Sequence, residues 1–293
     1  MPSATTHAHH NHGGSDSGIQ HKVAPWVEKL ARLGYASKGV TYFLIGLLAG
    51  GAALGVGGKV SGSKGALASL AGEGAWGQVL LWIIGIGLLA YAGWQMFRAA
   101  ADPEDEGSDI KGVAKRGFFV VSGVIHLLLA VWVFTHLLGS SGSGGSGSGS
   151  GGGGGTQGLV NDVLAWGMVG RMLVGVVAVA IAGFGVQQVV KAYQVKLSDE
   201  LDLATMPAGG RRATIALGRA GLAARGVVLL VVGWFFATAA WQAQGSEAGG
   251  VDRAMQYLGS FGAVVLGLVA LGLMAYGAYM GVKARYRRIN VRG

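Results

Sequence analysis

The chain has 293 residues, of which 51% are hydrophobic and 13% are charged, and its formal net charge is +9. Soluble domains average about 25% charged residues, so this composition excludes an ordinary water-soluble fold. Cysteine is absent, which excludes disulfides and thiolate metal sites. The basic residues lie in short runs beside apolar segments, which favours contact with anionic lipid headgroups over nucleic acid.

The first 29 residues form a polar, His-rich segment. It contains His7, His9, His10 and His12, a composition found in loose metal-binding tracts, but their spacing is not that of a rigid site. The segment also lacks the apolar stretch and small-residue cleavage site of a secretory signal. We predict a disordered cytoplasmic tail over residues 1–29 with no metal site, followed by a membrane helix that is retained as an uncleaved anchor.

Six apolar segments follow the tail. A bilayer core of about 30 Å needs roughly 20 apolar residues of helix, and six segments meet that length without an Asp or Glu inside them. The sequence therefore predicts an all-α, polytopic membrane protein. The predicted transmembrane helices cover residues 36–56, 77–98, 117–138, 168–191, 220–241 and 259–282.

The segments between these helices indicate the orientation of the chain. The acidic stretch at residues 102–109 is typical of a solvated linker, and the Gly/Ser-rich run within residues 139–158 predicts a flexible outer loop. Of the Lys and Arg residues between the helices, only Lys59, Lys64 and Arg253 lie on the side of that loop. Because basic loops stay in the cytoplasm, we expect a multi-pass protein of the bacterial inner (plasma) membrane with both termini cytoplasmic.

A two-helix pattern occurs three times. Helices one, three and five open with a basic residue, six further positions and a Gly-Val pair, whereas helices two, four and six close with an aromatic residue and a cation seven positions later. Each copy contains two helices, so successive copies begin on the same side of the membrane. The copies are therefore parallel repeats related by an axis along the membrane normal. We predict repeats at residues 30–101, 102–192 and 193–285, a basic cytoplasmic tail at 286–293, and a bundle with pseudo-threefold symmetry.

The cations of this pattern have two interpretations. Long basic side chains at helix ends reach the headgroups and enforce topology. A ring of basic residues near the axis would instead recognise an anionic lipid or ligand. The six motif cations are Arg32, Arg116 and Arg219 at the opening ends and Arg98, Lys191 and Lys283 at the closing ends.

The stretches ARLGYASKGVTYFLIGLLAG and LGRAGLAARGVVLLVVGWFF, which open the first and third repeats, resemble the bacterial domain-of-unknown-function family 1206. The resemblance implies tandem two-helix membrane units, and three such units would cover the chain from about residue 30 to residue 285. It implies no activity, ligand or catalytic residue. The middle copy departs from the pattern, with Ser122 in place of Lys38 and Arg225, and with Phe118 in place of Gly34 and Gly221.

Four polar residues within the apolar segments form a candidate intramembrane site. His126 lies near the middle of helix three, and an ionisable side chain at such a depth is costly and often functional. A neutral imidazole bonded to a backbone carbonyl would be structural, whereas our hypothesis is that His126 lines the interior and contacts a ligand or water. Gln187 and Gln188 near the inner end of helix four suit interhelical hydrogen bonds or a polar path, and Arg171 marks the outer end of that helix.

These observations predict a non-enzymatic structural or accessory membrane component that acts through helix packing and through lipid or protein contacts. No catalytic constellation and no cofactor motif is recognisable, so none is predicted. The alternative is a small channel or transporter whose path follows the pseudo-threefold axis and is lined by His126 and the Gln residues. Expected partners are membrane lipids, including anionic headgroups, and a second protein or a second copy of the chain, but not nucleic acid.

Overall fold

The computed structural model describes residues 20–22, 25–58, 60–102, 107–138, 153–194, 201, 206–286 and 290–292. Within these ranges the protein is almost entirely helical. The helices are α1 (Pro25–Leu54), α2 (Ser63–Ala71), α3 (Gly74–Ala101), α4 (Ile110–Leu138), α5 (Gly153–Leu164), α6 (Met168–Gln194), α7 (Ala208–Gln242), α8 (Val251–Ser260) and α9 (Ala263–Tyr286). Two short strands, β1 (Gln20–Lys22) and β2 (Asn290–Arg292), complete the elements.

Six of these helices, α1, α3, α4, α6, α7 and α9, are long and apolar enough to cross a membrane. The predicted number of transmembrane helices and the predicted all-α class are therefore confirmed. In each repeat an opening helix (α1, α4 or α7) and a closing helix (α3, α6 or α9) cross the membrane in opposite directions. We call the end of the bundle where the opening helices begin the terminal face, and the other end the hairpin face.

The two ends of the described chain meet at the terminal face. Strands β1 and β2 pair antiparallel, with Gln20 opposite Arg292. Strand β1 and the first residues of α1 fall within the tail predicted at residues 1–29, and β2 falls within the basic tail predicted at 286–293. The His-rich run of residues 7–12 lies outside the described residues.

The structure contains short helices on the hairpin face that were not predicted from the sequence. Helices α2, α5 and α8 each precede a closing helix, so each repeat contains three helices instead of two. The prediction of a single helix from residue 259 was wrong, because Gly262 has φ +111° and separates α8 from α9. The predicted outer loop at 139–158 overlaps α5, which begins at Gly153, and its residues 139–152 lie outside the described part of the chain.

The repeats pack in a cyclic order. The opening helix of each repeat packs along the closing helix of the preceding one, so that α4 lies on α3, α7 lies on α6, and α1 lies on α9. Within the first and third repeats, α1 also packs on α3, and α7 packs on α9. The order of the transmembrane helices is therefore α4, α3, α1, α9, α7, α6.

Arginine side chains hold this cyclic order at the terminal face. Each of the three opening-helix motif arginines donates a hydrogen bond to a carbonyl in the last turn of the neighbouring closing helix. Such carbonyls have no partner within their own helix and carry the negative end of its dipole. The bonds run from Arg116 Nε to Ala99 O (2.8 Å), from Arg219 Nε to Ala192 O (3.2 Å) and from Arg32 Nη1 to Ala284 O (3.0 Å).

The middle repeat is the exception to close packing. A Cβ atom added at Gly34 would lie 2.7 Å from Tyr91 Cα, and one added at Gly221 would lie 2.5 Å from Tyr276 Cα, so glycine permits the close approach of α1 to α3 and of α7 to α9. In the middle repeat Phe118 occupies this position and stacks on Phe184 with ring centroids 5.4 Å apart. Helices α4 and α6 make no extended contact within their described ranges. We call this interface the α4–α6 seam.

Candidate functional site

Two cations and five rings form a cluster between the transmembrane helices. Every one of the six spans contributes to it, which places it near the pseudo-threefold axis. The cation–aromatic cluster, as we name it, consists of Lys38 and Tyr42 from α1, Tyr91 from α3, His126 from α4, Phe184 from α6, Arg225 from α7 and Tyr276 from α9.

Lys38 is the more deeply buried of the two cations, with 4% of its surface exposed. Its Nζ donates a hydrogen bond of 2.9 Å to the hydroxyl of Tyr91 and lies 4.4 Å from the centroid of that ring. Burying an ammonium group costs several kcal/mol unless it is paired and hydrogen-bonded. This hydrogen bond satisfies one of the three N–H donors of the ammonium group.

Arg225 lies among three rings. Its Nε donates to the Tyr42 hydroxyl at 3.1 Å, and its guanidinium carbon lies 5.5, 5.2 and 5.1 Å from the centroids of Tyr42, Phe184 and Tyr276. Rings at this distance attract a cation through their quadrupole. Tyr42 and Tyr276 also contact one another edge to face, with centroids 4.8 Å apart. The rings therefore fix the orientation of the guanidinium group.

His126 belongs to the same cluster. Its Nδ1 lies 2.7 Å from the carbonyl oxygen of Ser122, and its ring centroid lies 4.6 Å from that of Tyr91. Since a carbonyl only accepts, this distance assigns the proton to Nδ1 and leaves Nε2 as an acceptor. The carbonyl bond is the one that the structural interpretation of His126 required, and the packing on Tyr91 places the imidazole beside Lys38.

The cluster carries positive charge without a neighbouring carboxylate. Among the described residues, neither Lys38 nor Arg225 forms an ion pair. One turn beyond Tyr91 on α3, Trp94 is 5% exposed, and its indole N–H has no acceptor within the described structure. This part of the bundle therefore holds two cations and an unpartnered N–H donor, without a carboxylate paired to either cation among the described residues.

Sequence reasoning did not identify Lys38 and Arg225 as site residues. A signal was present, because both directly precede the Gly-Val pair and occupy the same position in the first and third repeats. Each also lies six residues beyond the opening arginine of its repeat, which is about 9 Å further along a helix. A cation at that depth can no longer be assigned to the headgroup region by position alone.

The four residues of the candidate polar site do not lie together. Gln188 is 5% exposed and faces the bundle, whereas Gln187 is exposed. Arg171 lies about 24 Å from them along α6 at the helical rise. It donates to the carbonyls of Ala240 (3.1 Å) and Trp241 (2.7 Å) at the end of α7, beside a groove of about 480 Å³ between α6 and α7.

The closing-helix cations differ from one another. Lys191 is exposed at the terminal face, as the headgroup interpretation requires. Arg98 and Lys283 are only 9% and 8% exposed, a burial that the headgroup interpretation does not predict. The reason is a neighbouring ring: the Arg98 guanidinium lies 3.7 Å from the centroid of Phe119, and Lys283 Nζ lies 5.4 Å from that of Tyr35.

The fold and the cluster define the class of this protein: a multi-pass membrane protein of three tandem helical repeats around a cationic, aromatic interior. The family described as Domain of Unknown Function (DUF1206) matches residues 33–102, 118–194 and 220–287. The chain belongs to this family, and the resemblance drawn from its opening motifs is confirmed. No group of three or more His, Cys, Asp and Glu side chains within the described residues has a metal-binding arrangement.

A relative in Bacillus subtilis (strain 168), the uncharacterized protein YxxB, is 30% identical over 276 residues. The alignment covers 94% of this chain and 96% of the Bacillus protein, so the similarity extends over all three repeats. No solved structure matches the chain.

Proposed function

We propose that this protein is a non-enzymatic membrane protein that binds an anionic ligand at the cation–aromatic cluster. The observation that carries the proposal is a pair of cations, the buried Lys38 and the half-buried Arg225, at equivalent positions of two repeats, with no acidic partner among the described residues. By holding a ligand that contacts both cations, the protein would act as a lipid-binding or accessory membrane component. An accessory role is also the one expected from the sequence.

Electrostatics supports an anion. Two like charges in a low-dielectric interior disfavour one another, and each loses its hydration. A carboxylate or phosphate between Lys38 and Arg225 would compensate both and would accept charge-assisted hydrogen bonds, which are about twice as strong as neutral ones. The unpartnered indole N–H of Trp94 is a further donor in the same part of the bundle.

The cluster's chemistry supports binding more than catalysis. Its members offer hydrogen-bond donors, cations and ring faces, which recognise and orient an anion. These groups therefore support a non-enzymatic role.

A second candidate function is movement of the anion along the pseudo-threefold axis. It is favoured by one observation: all six spans contribute to the cluster, so the site lies on the path that a central pore would follow. Phosphate flux into proteoliposomes tests it. Transport predicts flux that is lost in Arg225→Met, whereas a binding protein without a path gives the flux of protein-free vesicles.

For localisation we propose the plasma membrane with both termini cytoplasmic. Support comes from the concentration of Lys and Arg at the terminal face and from the β1–β2 pairing, which brings both ends of the described part of the chain to that face. Reporter fusions after residues 110 and 250 test the orientation. A cytoplasmic signal at 110 and an external one at 250 support it, and the reverse pattern refutes it.

Native mass spectrometry of the full chain in mild detergent tests the binding function. Three probes are added separately: inorganic phosphate, dioleoyl phosphatidylglycerol and dioleoyl phosphatidylcholine. We expect one of the anionic probes to bind with preference over the neutral lipid. Lys38→Met and Arg225→Met should each weaken it roughly 10- to 150-fold, since a hydrogen bond to a charged group contributes about 1.5–3 kcal/mol.

The matched control is Lys191→Met, because this cation is exposed at the terminal face. It should retain the preference. If Lys38→Met and Arg225→Met bind every probe as the unmodified protein does, the proposed function is refuted.

A further inference from the structure

The α4–α6 seam is the structural exception in a bundle that otherwise repeats itself. In the first and third repeats glycine brings the opening and closing helices into backbone contact, with Gly34 on Tyr91 and Gly221 on Tyr276. In the middle repeat the rings of Phe118 and Phe184 hold the two helices apart. The α4–α6 interface therefore packs through side chains where the equivalent interfaces of the first and third repeats include backbone contact.

The walls of the seam face lipid. In the spans of α4 and α6, 22% of the residues are buried, against 39 to 56% in the other four spans. Large apolar side chains on both helices are exposed, including Val121 and Leu128 on α4 and Val177 on α6. An acyl chain is the ordinary neighbour of such surfaces in a bilayer.

The seam leads directly to the cation–aromatic cluster. Phe184 forms one half of the ring stack that fills the seam, and its ring centroid lies 5.2 Å from the Arg225 guanidinium. On the opposite wall, His126 packs on Tyr91, whose hydroxyl binds Lys38. Moving α4 away from α6 would therefore connect the two cations of the cluster to the lipid phase.

From this geometry we infer that the ligand is an anionic amphiphile of the bilayer, which enters sideways through the α4–α6 seam. Its acidic headgroup lies between Lys38 and Arg225, and its acyl chain lies between α4 and α6. The inference rests on the proposed function, to which it adds the ligand class and the route. The depth of the cluster agrees with it, since Lys38 lies only about 9 Å further along its helix than the terminal-face Arg32.

The absence of cysteine permits a direct test. In Phe118→Cys/Phe184→Cys a short bifunctional methanethiosulfonate reagent ties α4 to α6, and a reductant releases it. The control is Gly175→Cys/Ala240→Cys, which ties α6 to α7 away from the seam; a Cβ at Gly175 would lie 4.0 Å from that of Ala240. Native mass spectrometry measures bound dioleoyl phosphatidylglycerol, with phosphatidylcholine and inorganic phosphate as comparison probes.

The expected amount of bound lipid depends on whether the cross-linker or the lipid is added first. Cross-linking the seam before the lipid is added should reduce bound phosphatidylglycerol at least 10-fold, and cross-linking afterwards should trap the lipid through delipidation. Reductant should reverse both effects, and the control pair should show neither. Phe118→Gly tests the route without a cross-linker, because it introduces the glycine that the other two repeats have at this position. Helix α4 should then pack closely on α6, and the amount of bound phosphatidylglycerol should fall.

Three results would overturn the inference. If the cross-link and Phe118→Gly leave lipid loading unchanged while Lys38→Met abolishes it, the route is wrong and the binding function stands. If phosphate binds through Lys38 and Arg225 but phosphatidylglycerol does not, the ligand class is wrong. If no probe depends on Lys38 or Arg225, both the inference and the proposed function fail.

Discussion

Replacing Gly34 with alanine should loosen the first repeat by a measurable amount. The added Cβ would lie 2.7 Å from Tyr91 Cα and 2.8 Å from its backbone nitrogen. Carbon contacts are optimal at about 3.5–4.0 Å, so α1 and α3 must separate by about 1 Å. Overpacking of this kind costs about 1–3 kcal/mol. At roughly 2–4 °C per kcal/mol in larger domains, the Tm should fall by about 2–12 °C.

Gly93→Ala is the matched control for this experiment. Gly93 lies on α3 two residues from Tyr91, is exposed, and has open space around the position of a new Cβ. Alanine there should stabilise the helix by about 0.5–1 kcal/mol. Thermal unfolding in detergent, followed by tryptophan fluorescence, compares the two variants. If Gly34→Ala unfolds at the same temperature as Gly93→Ala or above it, the close approach of α1 to α3 is refuted.

Three further variants test contacts that hold the bundle and the cluster together. Tyr91→Phe leaves the Lys38 ammonium without its hydroxyl acceptor and should cost about 1–3 kcal/mol, which Lys38→Met in the same chain should restore; an additive double-mutant cycle in thermal unfolding would contradict the contact. Arg219→Gln should lower the Tm because it removes the last-turn bonds to α6, whereas exposed Arg212→Gln should not. Asp252→Ala removes the acceptor of the Gly62 amide at the start of α2 and should cost about 0.5–2 kcal/mol in the same assay; an unchanged Tm would argue against this link between repeats.

The number of spans and the triple repeat could be predicted because both are local signals. A segment of about 20 apolar residues is visible without knowledge of its neighbours. The short helices α2, α5 and α8 could not be predicted in this way, since helices of 9 to 12 residues leave no hydropathy signal of that length. Hydropathy also merges the end of α8 with α9, because it does not report the positive φ of Gly262.

The candidate site was predictable only in part, because burial of a cation depends on helices that are distant in sequence. His126 is conspicuous as an ionisable residue inside an apolar run. Lys38 and Arg225 lie close to other basic residues in the sequence, so a charge count assigns them to the membrane surface. Their partners Tyr91 and Tyr42 lie 53 and 183 residues away, and no local pattern reports such contacts.

The cyclic packing order has a consequence for biosynthesis. Helix α1 is made before the other five described spans, yet the helix along which it packs most extensively is α9, the last of the six. Until α9 has been made, α1 therefore presents the glycine surface that receives α9 to the bilayer or to the insertion machinery. A nascent chain cannot complete its first repeat before its third, so truncation after α8 should expose a defect at the opposite end of the sequence. Quality control that recognises an unpaired first helix would thereby monitor synthesis of the whole protein.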